Sequence, residues 1–305
     1  MLNKNSGSRS IKLMAGDRSF HIVMLTLMGF AFIVVGYPLL YTIAASFSST
    51  SAIIRGRVKL WPVEPTLNAY KAVFRHGLLV SGFLNSLLYV LGGTIVAVCI
   101  LCLTAYPLSR RDFPDRKFFT VFFLITMFFS GGLVPSYILM SRLRLVGSRW
   151  ALIIGVGFSC YNMIIVKSYF QNSIPQGLLD AAHIDGCRDI QFFFLFALPL
   201  SVPVIAVMVL FNAVGIWNGY FSGMLYLTRA KTFNFQMILR DILFVANMPP
   251  EMMAVADPRE LANMQSLLQQ IRYAVLVVGA LPMMILYPFI QQFFIRGIMI
   301  GSLKE

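Results

Sequence analysis

The chain has 305 residues, of which 58% are hydrophobic and 12% are charged, and its formal net charge is +13. Its mean hydropathy of +0.76 lies far from the balance of a soluble domain. The composition therefore excludes the water-soluble globular classes and indicates an integral membrane protein.

Six stretches are apolar over about the 20 residues that a membrane-spanning helix needs. Because backbone groups in lipid must be bonded within the segment, we expect each stretch to be a helix and not an open strand. The stretches are 20–46, 82–108, 118–140, 150–167, 192–216 and 274–295. The sequence therefore predicts an all-α polytopic protein with six transmembrane helices, in which residues 20–305 form the membrane domain.

A basic tail precedes the first stretch, with Lys4, Arg9, Lys12 and Arg18. This arrangement also occurs in secretory signals, which are the alternative interpretation. The apolar run is longer than 20 residues and carries no Ala-x-Ala-like cleavage signature, so we expect a retained helix. Residues 1–19 are then a cytoplasmic tail.

Orientation follows the placement of Lys and Arg, which favour the cytoplasmic ends of membrane helices. With both termini in the cytoplasm, 12 basic residues lie inside and 13 outside, so the totals do not decide the orientation. The inside residues crowd into short segments such as 110–117, whereas the outside residues are spread over two long loops, 47–81 and 217–273, that count less. We therefore expect both termini to be cytoplasmic.

The 47–81 segment is too polar to span and too long for a simple connection, which predicts a structured external loop. Thr66 is placed to cap a short helix there. Leu67, Tyr70 and Phe74 fall on one face of that helix, and we expect this face to lie against the membrane surface or neighbouring helices.

Two stretches carry residues that bend helices. Gly131, Gly132 and Pro135 interrupt the third stretch near its outer end and predict a kink, which either lines a substrate path or serves packing alone. Pro199 and Pro203 stand at the start of the fifth stretch, where their rings predict a bend away from the preceding loop.

The 217–273 segment contains a helix signal of its own. Asp257 is placed as the N-cap, Pro258 as the first helical residue and Glu260 as the capping-box partner. Apolar residues then recur at helical spacing, namely Leu261, Met264, Leu267, Leu268 and Ile271. We expect this helix to run into the sixth span, either as a packed lead-in or as a platform for an external partner.

A short polar, helix-forming segment at about 177–196 separates two long hydrophobic runs. Gly186 accepts a positive φ at no steric cost. We therefore expect one helix over about 177–185 and a second over about 187–196, which leaves the glycine at an angle.

The first of these two helices has the side chains of a docking element. Ala181 and Ala182 keep it slim enough to enter a groove on another protein. Asp180 is placed to pair with a basic residue of that partner, and Asp185 to accept hydrogen bonds from backbone amides of the turn. An ordinary amphipathic loop is the alternative.

This segment resembles the coupling motif of ABC importer permeases, in which Glu-Ala-Ala is followed by Asp-Gly-Ala and, further on, by Phe and Leu-Pro. The matching positions here are Ala181, Ala182, Asp185, Gly186, Phe193, Leu198 and Pro199. Asp180 stands in place of the usual Glu and Cys187 in place of the usual Ala, so charge and small size are kept. The resemblance implies that Asp180, Ala181, Ala182, Asp185, Gly186, Phe193 and Pro199 contact or support contact with an ATPase.

From about residue 80 to its end the chain is similar to the maltose-permease type of carbohydrate importer. Asn85-Ser86, Trp217-Asn218 and the run from Tyr287-Pro288 to Gly301-Ser302-Leu303-Lys304 carry this similarity. The terminal pattern is most similar to the subgroup that imports aldouronates and other complex oligosaccharides.

The resemblance implies the type I ABC importer permease fold and a multi-pass protein of the bacterial cell (inner) membrane. It implies four kinds of partner, a second and non-identical permease subunit, two ATP-binding subunits, an external solute-binding protein and the oligosaccharide. ATP and Mg²⁺ would be bound by the ATP-binding subunits. Nothing in the sequence indicates a nucleic acid partner.

The chain itself offers no site for catalysis. It has no Gly-x-x-x-x-Gly-Lys-Ser/Thr loop for nucleotide phosphates, and its three histidines lie in separate segments. Cys99 and Cys102 lie within one apolar helix, where packing is the better interpretation. We therefore expect a non-catalytic subunit with no cofactor or metal of its own.

The external segments carry 13 Lys and Arg residues against five acidic residues. One hypothesis is an acidic, uronate-containing oligosaccharide as cargo, because basic loops concentrate anionic ligands. The alternative is that these charges face anionic lipid or an acidic binding protein. Polar and aromatic residues within the spans are candidates for the substrate path, namely Asn85, Tyr89, Asn162, Asn212 and Tyr287.

Two other functions compete with sugar import. An ABC permease for a non-sugar solute would use the same coupling loop. A secondary transporter would need an inverted repeat or acids within the membrane, and neither stands out in the sequence.

Overall fold

The computed structural model of the protein describes residues 15–155, 158–246 and 258–302. Within these ranges the regular elements are helices, and no strand occurs. The chain divides into two compact units, Met1–Leu67 and Asn68–Glu305.

The first unit holds α1 (Ala15–Ser46) and α2 (Thr50–Ile54). The Ser49 hydroxyl caps α2 by accepting from the Ala52 amide at 3.2 Å. The Glu64 carboxylate accepts from that hydroxyl at 2.6 Å and from the Arg57 guanidinium at 2.7 Å. These two partners, the hydroxyl first, hold the pKa of Glu64 below its usual value.

The second unit contains all the remaining helices that the structure describes. In chain order they are α3 (Asn68–Arg75), α4 (Gly77–Ser109), α5 (Arg116–Phe128), α6 (Leu133–Arg142), α7 (Trp150–Ile154), α8 (Cys160–Ser173), α9 (Gln176–Ile184), α10 (Asp189–Phe192), a π-helix (Phe193–Ala197), α11 (Leu198–Leu200), α12 (Val202–Trp217), α13 (Tyr220–Tyr226), a 3₁₀ turn (Ala230–Thr232), α14 (Phe235–Ala246) and α15 (Pro258–Ser302).

Three described helices are long and apolar enough to cross a membrane, at Ser19–Ser46, Gly77–Ser109 and Ile271–Gln291. They coincide with the predicted stretches 20–46, 82–108 and 274–295, which are confirmed as helices. Two bent pairs of helices raise the total of candidate spans in the described residues to five.

Both bent pairs lie where the sequence predicts a bend. Helices α5 and α6 meet at an angle of 113°, next to Gly132 with its φ of +82°. The segments Asp189–Leu200 and Val202–Trp217 meet at 78°, between Pro199 and Pro203. The predicted kinks are confirmed, and each is sharp enough to divide its stretch into two helices.

The predicted continuous helix over 150–167 is wrong. Helix α7 ends at Ile154, and α8 begins only at Cys160. The Ser159 hydroxyl accepts from the Asn162 amide at 3.3 Å and so caps α8. A serine cap inside an apolar run therefore starts a separate helix.

The described part of the 217–273 segment is largely helical. Helix α15 begins at Pro258 as predicted and continues without a break through the sixth apolar stretch. The proposed N-cap, Asp257, lies outside the described residues. Helices α13 and α14 were not expected, although Phe235, Ile238 and Ile242 have helical spacing and are buried.

A hydrophobic core that we call the Trp217 core joins α4, α12, α14 and α15. The indole Nε1 of Trp217 donates to the Gly279 carbonyl of α15 at 2.9 Å. Phe83 contacts the same ring edge to face, with centroids 5.6 Å apart, and Phe235 stacks on it at 6.0 Å. The core therefore fixes α14 against α4, α12 and α15.

Helix α3 also packs into the Trp217 core, through the buried side chains of Ala69 and Val73. Tyr70 is partly buried there, whereas Phe74 is 66% exposed. The predicted helix is confirmed, but its packed face is the one that carries the smaller side chains.

A second cluster, the Phe170 core, joins α4, α8, α9, α10 and α12. Phe170, Met163 and Phe192 are fully or almost fully buried within it. Tyr106 of α4 contacts Phe170 edge to face, with ring centroids 5.6 Å apart. This core holds the loop between α8 and α12 against the C-terminal end of α4.

Candidate coupling surface

Helix α9 ends in a left-handed turn at Gly186, whose φ is +79°. The Gly186 amide donates to the His183 carbonyl at 3.0 Å, and the Cys187 amide donates to the Ala182 carbonyl at 2.9 Å. This pair of bonds is a Schellman motif, in which glycine occupies the left-handed position because it has no Cβ. The predicted glycine hinge is confirmed as a backbone conformation.

The two faces of α9 differ in character. Leu179 and Ala182 are buried in the Phe170 core, so the small Ala182 side chain allows the helix to approach its own protein. Asp180 and Ala181 face outwards and are exposed. The Asp180 carboxylate accepts from the Gln176 amide group at 3.3 Å, one turn earlier on the same helix. Its exposure leaves it accessible to a partner's basic residue.

The role expected for Asp185 is wrong in this structure. Its carboxylate is exposed and takes part in none of the hydrogen bonds of the described residues. The main-chain bonds of the Schellman motif already close the turn, so the amides there need no side-chain acceptor. Asp185 is therefore a free surface charge at the helix end.

Helix α10 continues directly into the π-helix and α11, which lead to the bend before α12. Phe193 is buried in the Phe170 core, with its ring centroid 4.9 Å from that of Tyr106. Pro199 is exposed beside the bend. The two residues therefore differ in role, because Phe193 anchors the loop to α4 whereas Pro199 shapes the exit towards α12.

A charged cluster links this loop to the end of α4. The Arg110 guanidinium donates to both oxygens of Asp112, at 3.0 and 2.8 Å, and to the Tyr106 hydroxyl at 3.2 Å. Its Nη2 also lies 3.6 Å from Oδ1 of Asp189, the first residue of α10. That oxygen lies 3.2 Å from Nε2 of His183 on α9. One carboxylate therefore connects three separate elements.

The charges of this cluster shift the pKa values of two of its side chains. The hydrogen bonds from Arg110 are the main reason why the pKa of Asp112 lies below its usual value. The pKa of Arg110 is raised, chiefly by the hydrogen bond to Asp112. Arg110 is also only 12% exposed, so its charge stays in place at the end of α4.

Sequence reasoning missed several residues of this surface. Ile184 and Ile190 are 87% and 73% exposed on either side of the Gly186 turn. Exposure of these apolar side chains to water is unfavourable and marks a site of protein contact. The sequence could have predicted their exposure, because neither isoleucine falls at helical spacing with the buried Leu179 and Phe192. The link between Arg110 and Asp189 had no such signal, since 79 positions separate them and only the fold brings them together.

Two of the residues suggested for the substrate path have a structural role. The Asn85 side chain donates to the carbonyls of Lys231 and Phe233 at 2.8 and 3.1 Å and accepts from Arg149 at 3.2 Å. Tyr89 is buried and donates to the Thr232 carbonyl at 2.7 Å. Both side chains hold the 3₁₀ turn of the 217–273 segment against α4, so their polar atoms are used within the protein.

The other three candidates lie on three different helices. Asn162 is on α8, Asn212 donates to the Met208 carbonyl of its own helix α12 at 2.8 Å, and Tyr287 is exposed on α15. No hydrogen bond joins any two of the five suggested residues. A substrate path that includes these residues stays a prediction.

Comparisons with known proteins agree with this architecture. A family model described as "Binding-protein-dependent transport system inner membrane component" matches residues 113–300, which include the coupling loop. The polygalacturonan/rhamnogalacturonan transport system permease protein YtcP of Bacillus subtilis (strain 168) is 38% identical, over 91% of this chain and 95% of that protein. Protein LplC of the same organism is 35% identical, over 94% of this chain and 95% of that protein.

A solved structure has the same fold. It is described as a bacterial ABC transporter involved in the import of the acidic polysaccharide alginate, and the matched chain is 29% identical. The TM-score is 0.83, and the match covers 92% of this chain and 98% of that one. The resemblance inferred from the coupling loop is confirmed. The chain belongs to the family of membrane components of binding-protein-dependent transport systems, and it is a non-catalytic permease subunit of a bacterial ABC importer.

Proposed function

We propose that this permease imports acidic, uronate-containing oligosaccharides, which an external binding protein delivers. Its bundle has six spans with both termini in the cytoplasm. Three spans are single helices, each of the two bent pairs is one further span, and α7 with α8 is the sixth. A second, non-identical permease completes the pathway. Two separate ATP-binding subunits supply the energy.

The observation that carries the transport function is the geometry of the coupling loop. A helix ended by a left-handed glycine presents Asp180, Ala181 and Ile184 outwards, while Leu179 and Ala182 anchor it to the Phe170 core. An exposed isoleucine beside a carboxylate is suited to a groove that has apolar walls and a basic rim. Closure of the ATP-binding subunits would then move α9 together with the core behind it.

Two routes lead from that loop into the membrane helices. One is covalent, through α10, the π-helix and α11 to the bend before α12. The other is the ion pair between Asp189 and Arg110 together with the packing of Phe193 on Tyr106, both of which lead to α4. Movement of the loop would therefore shift two spans together.

The acidic cargo is supported by the relatives and by charge. YtcP is described as a permease for polygalacturonan and rhamnogalacturonan, and the solved relative is described as an importer of alginate, an acidic polysaccharide. The segments that would face outwards carry 13 Lys and Arg residues against five acidic residues. Such an excess raises the local concentration of anionic ligands.

Uptake by the reconstituted importer tests the proposal. Proteoliposomes that contain both permeases and the ATP-binding subunits are supplied with the binding protein and with labelled trigalacturonate. The expected result is ATP-dependent accumulation that exceeds the accumulation of the uncharged trimethyl ester of the same sugar. Equal uptake of acid and ester would contradict the acidic cargo, and uptake without ATP would contradict the coupling function.

A further inference from the structure

A groove of about 460 Å³ lies between the start of α13 and the outward face of α14. We call it the Arg240 groove, and its lining residues are Tyr220, Gln236, Leu239, Arg240, Leu243 and Phe244. Its volume lies within the range of ligand-binding clefts. None of these six residues belongs to the coupling surface, and Leu239 also packs against the Trp217 core.

The groove brings a cation close to two aromatic rings. The Arg240 guanidinium carbon lies 5.7 Å from the centroid of the Tyr220 ring and 5.9 Å from that of the Phe244 ring. Both distances are within the range of cation–π attraction. Gln236, Arg240 and Phe244 follow one another at intervals of four residues, so they form a single stripe along α14.

The frame of the groove is held in place from behind. The Asn234 side chain accepts from the Met237 amide at 3.3 Å, which caps α14, and donates to the Gly219 carbonyl at 3.1 Å. Gly219 directly precedes Tyr220, so one side chain sets the position of α13 relative to α14. Phe235 and Ile238 anchor the opposite face of α14 in the Trp217 core. The groove is therefore preorganised on two fixed helices.

Within the described part of the chain, Arg240 keeps most of its hydrogen-bonding capacity. Its ion-pair partner among the described residues is Asp241, whose Oδ1 lies 3.6 Å from Nη1. The Arg240 side chain is 50% exposed. A guanidinium presents donors in a planar fork that matches a carboxylate. The flat apolar face of a pyranose ring packs on aromatic rings such as those of Tyr220 and Phe244.

We propose that the Arg240 groove is a subsite for one uronate residue of the transported oligosaccharide. The uronate ring packs against Tyr220 and Phe244, its carboxylate pairs with Arg240, and Gln236 bonds a ring hydroxyl. This inference rests on the proposed function, because it places part of the acidic cargo on this subunit. It goes further by naming the residues that distinguish an acidic sugar ring from a neutral one.

Saturation-transfer NMR on the assembled importer in nanodiscs tests the subsite without the binding protein. The probe is trigalacturonate, with its trimethyl ester as the uncharged control. Arg240→Gln should weaken the interaction with the free acid about tenfold, the loss typical of a hydrogen bond to a charged group, and leave the ester unchanged. Phe244→Leu should weaken both ligands. Arg229→Gln is the matched control, because Arg229 is an exposed cation of the same segment outside the groove, and it should change neither.

Four outcomes would be distinguished. Equal binding of trigalacturonate by Arg240→Gln and Arg229→Gln would overturn the subsite, while uptake by the wild-type importer would leave the proposed function standing. Wild-type importer that takes up no trigalacturonate would instead refute the proposed cargo. The third outcome is measured in nanodiscs without anionic lipid. If Arg240→Gln no longer weakens trigalacturonate binding there, the groove is a site for lipid headgroups and the subsite is overturned. The last outcome concerns the concentration of binding protein that gives half-maximal stimulation of ATP hydrolysis. If Arg240→Gln changes this concentration and not the binding of trigalacturonate, the groove is a docking site for the binding protein and the subsite is overturned.

Discussion

At the scale of single residues, backbone groups hold both the turn at Gly186 and the side chains of Asn85 and Tyr89. Gly186 adopts the left-handed conformation that its lack of a Cβ predicts. Asp185 was expected to cap the same turn, but main-chain bonds already do so. Asn85 and Tyr89 were expected on a solute path, yet they bind carbonyls that lie more than 140 positions away. Their partners could be found only from the fold.

Replacing Gly186 tests the hinge. Alanine at a φ of +79° would be destabilised by about 1–2 kcal/mol, so Gly186→Ala should lower uptake several-fold. Gly186→Pro should abolish uptake, because proline fixes φ near −65° and lacks the amide that bonds to His183. ATP-dependent uptake and the amount of membrane-inserted protein are the measurements. Gly177→Ala, on the same helix with open space around its Cβ position, should be neutral.

Charge reversal at Asp180 tests docking. Asp180→Lys should prevent co-purification of the ATP-binding subunits and abolish uptake, because the exposed carboxylate would be replaced by a cation that repels a basic rim. Asp180→Glu keeps the charge and should behave like the wild type. Membrane insertion should be unchanged in both variants. Full uptake by the lysine variant would contradict the docking role.

At the scale of elements, apolar stretches predicted where helices occur but not where they end. The 150–167 stretch is divided by the Ser159 cap, a polar contact of one side chain that hydropathy averaging does not register. Helix α14 was missed because its apolar run covers only 12 positions, too few for a span. The proline bends were predicted correctly, because ring geometry acts locally.

The ion pair between α4 and α10 gives a prediction at this scale. Asp189 is 68% exposed, and exposed ion pairs contribute at most about 1 kcal/mol to stability. Asp189→Asn should therefore leave folding intact but reduce the sugar imported per ATP hydrolysed. Uptake and ATP hydrolysis measured in the same proteoliposomes give this ratio.

Asp112→Asn is the matched control for that experiment. Asp112 pairs with the same arginine but belongs to the same loop, so its loss removes no link between elements. Its ratio of uptake to hydrolysis should equal that of the wild type. Equal losses in both variants would show that Arg110 acts only through local charge, which would contradict a role in transmission.

At the scale of the whole molecule, composition and the coupling loop were sufficient to predict a helical membrane permease. The number of crossings was harder to predict, because three helices and two bent pairs meet the length and composition criteria while the α7–α8 region does not. Its two helices, Trp150–Ile154 and Cys160–Ser173, leave a break within the apolar stretch, so neither helix is long enough to cross a membrane by itself.

Thiol labelling tests the six-span topology. A variant with Cys99, Cys102 and Cys160 replaced by alanine retains one partly exposed thiol, Cys187, in the coupling loop. A membrane-impermeant maleimide should label it in inside-out vesicles and not in right-side-out ones. Adding Lys231→Cys, after replacing Cys187, should reverse the pattern. Labelling of both positions from one side would contradict an odd number of crossings between them.

Helix α4 carries the Asn85 and Tyr89 contacts near one end and Arg110 at the other, with no break between them. At 1.5 Å per residue, the interval from Tyr89 to Arg110 is about 30 Å, roughly the hydrocarbon thickness of a bilayer. A tilt of α4 that the ATP-binding subunits cause at one membrane face would therefore also move the Lys231–Phe233 backbone at the other face, because α4 is one continuous helix. The external end of the transport pathway would then open or close together with its cytoplasmic end.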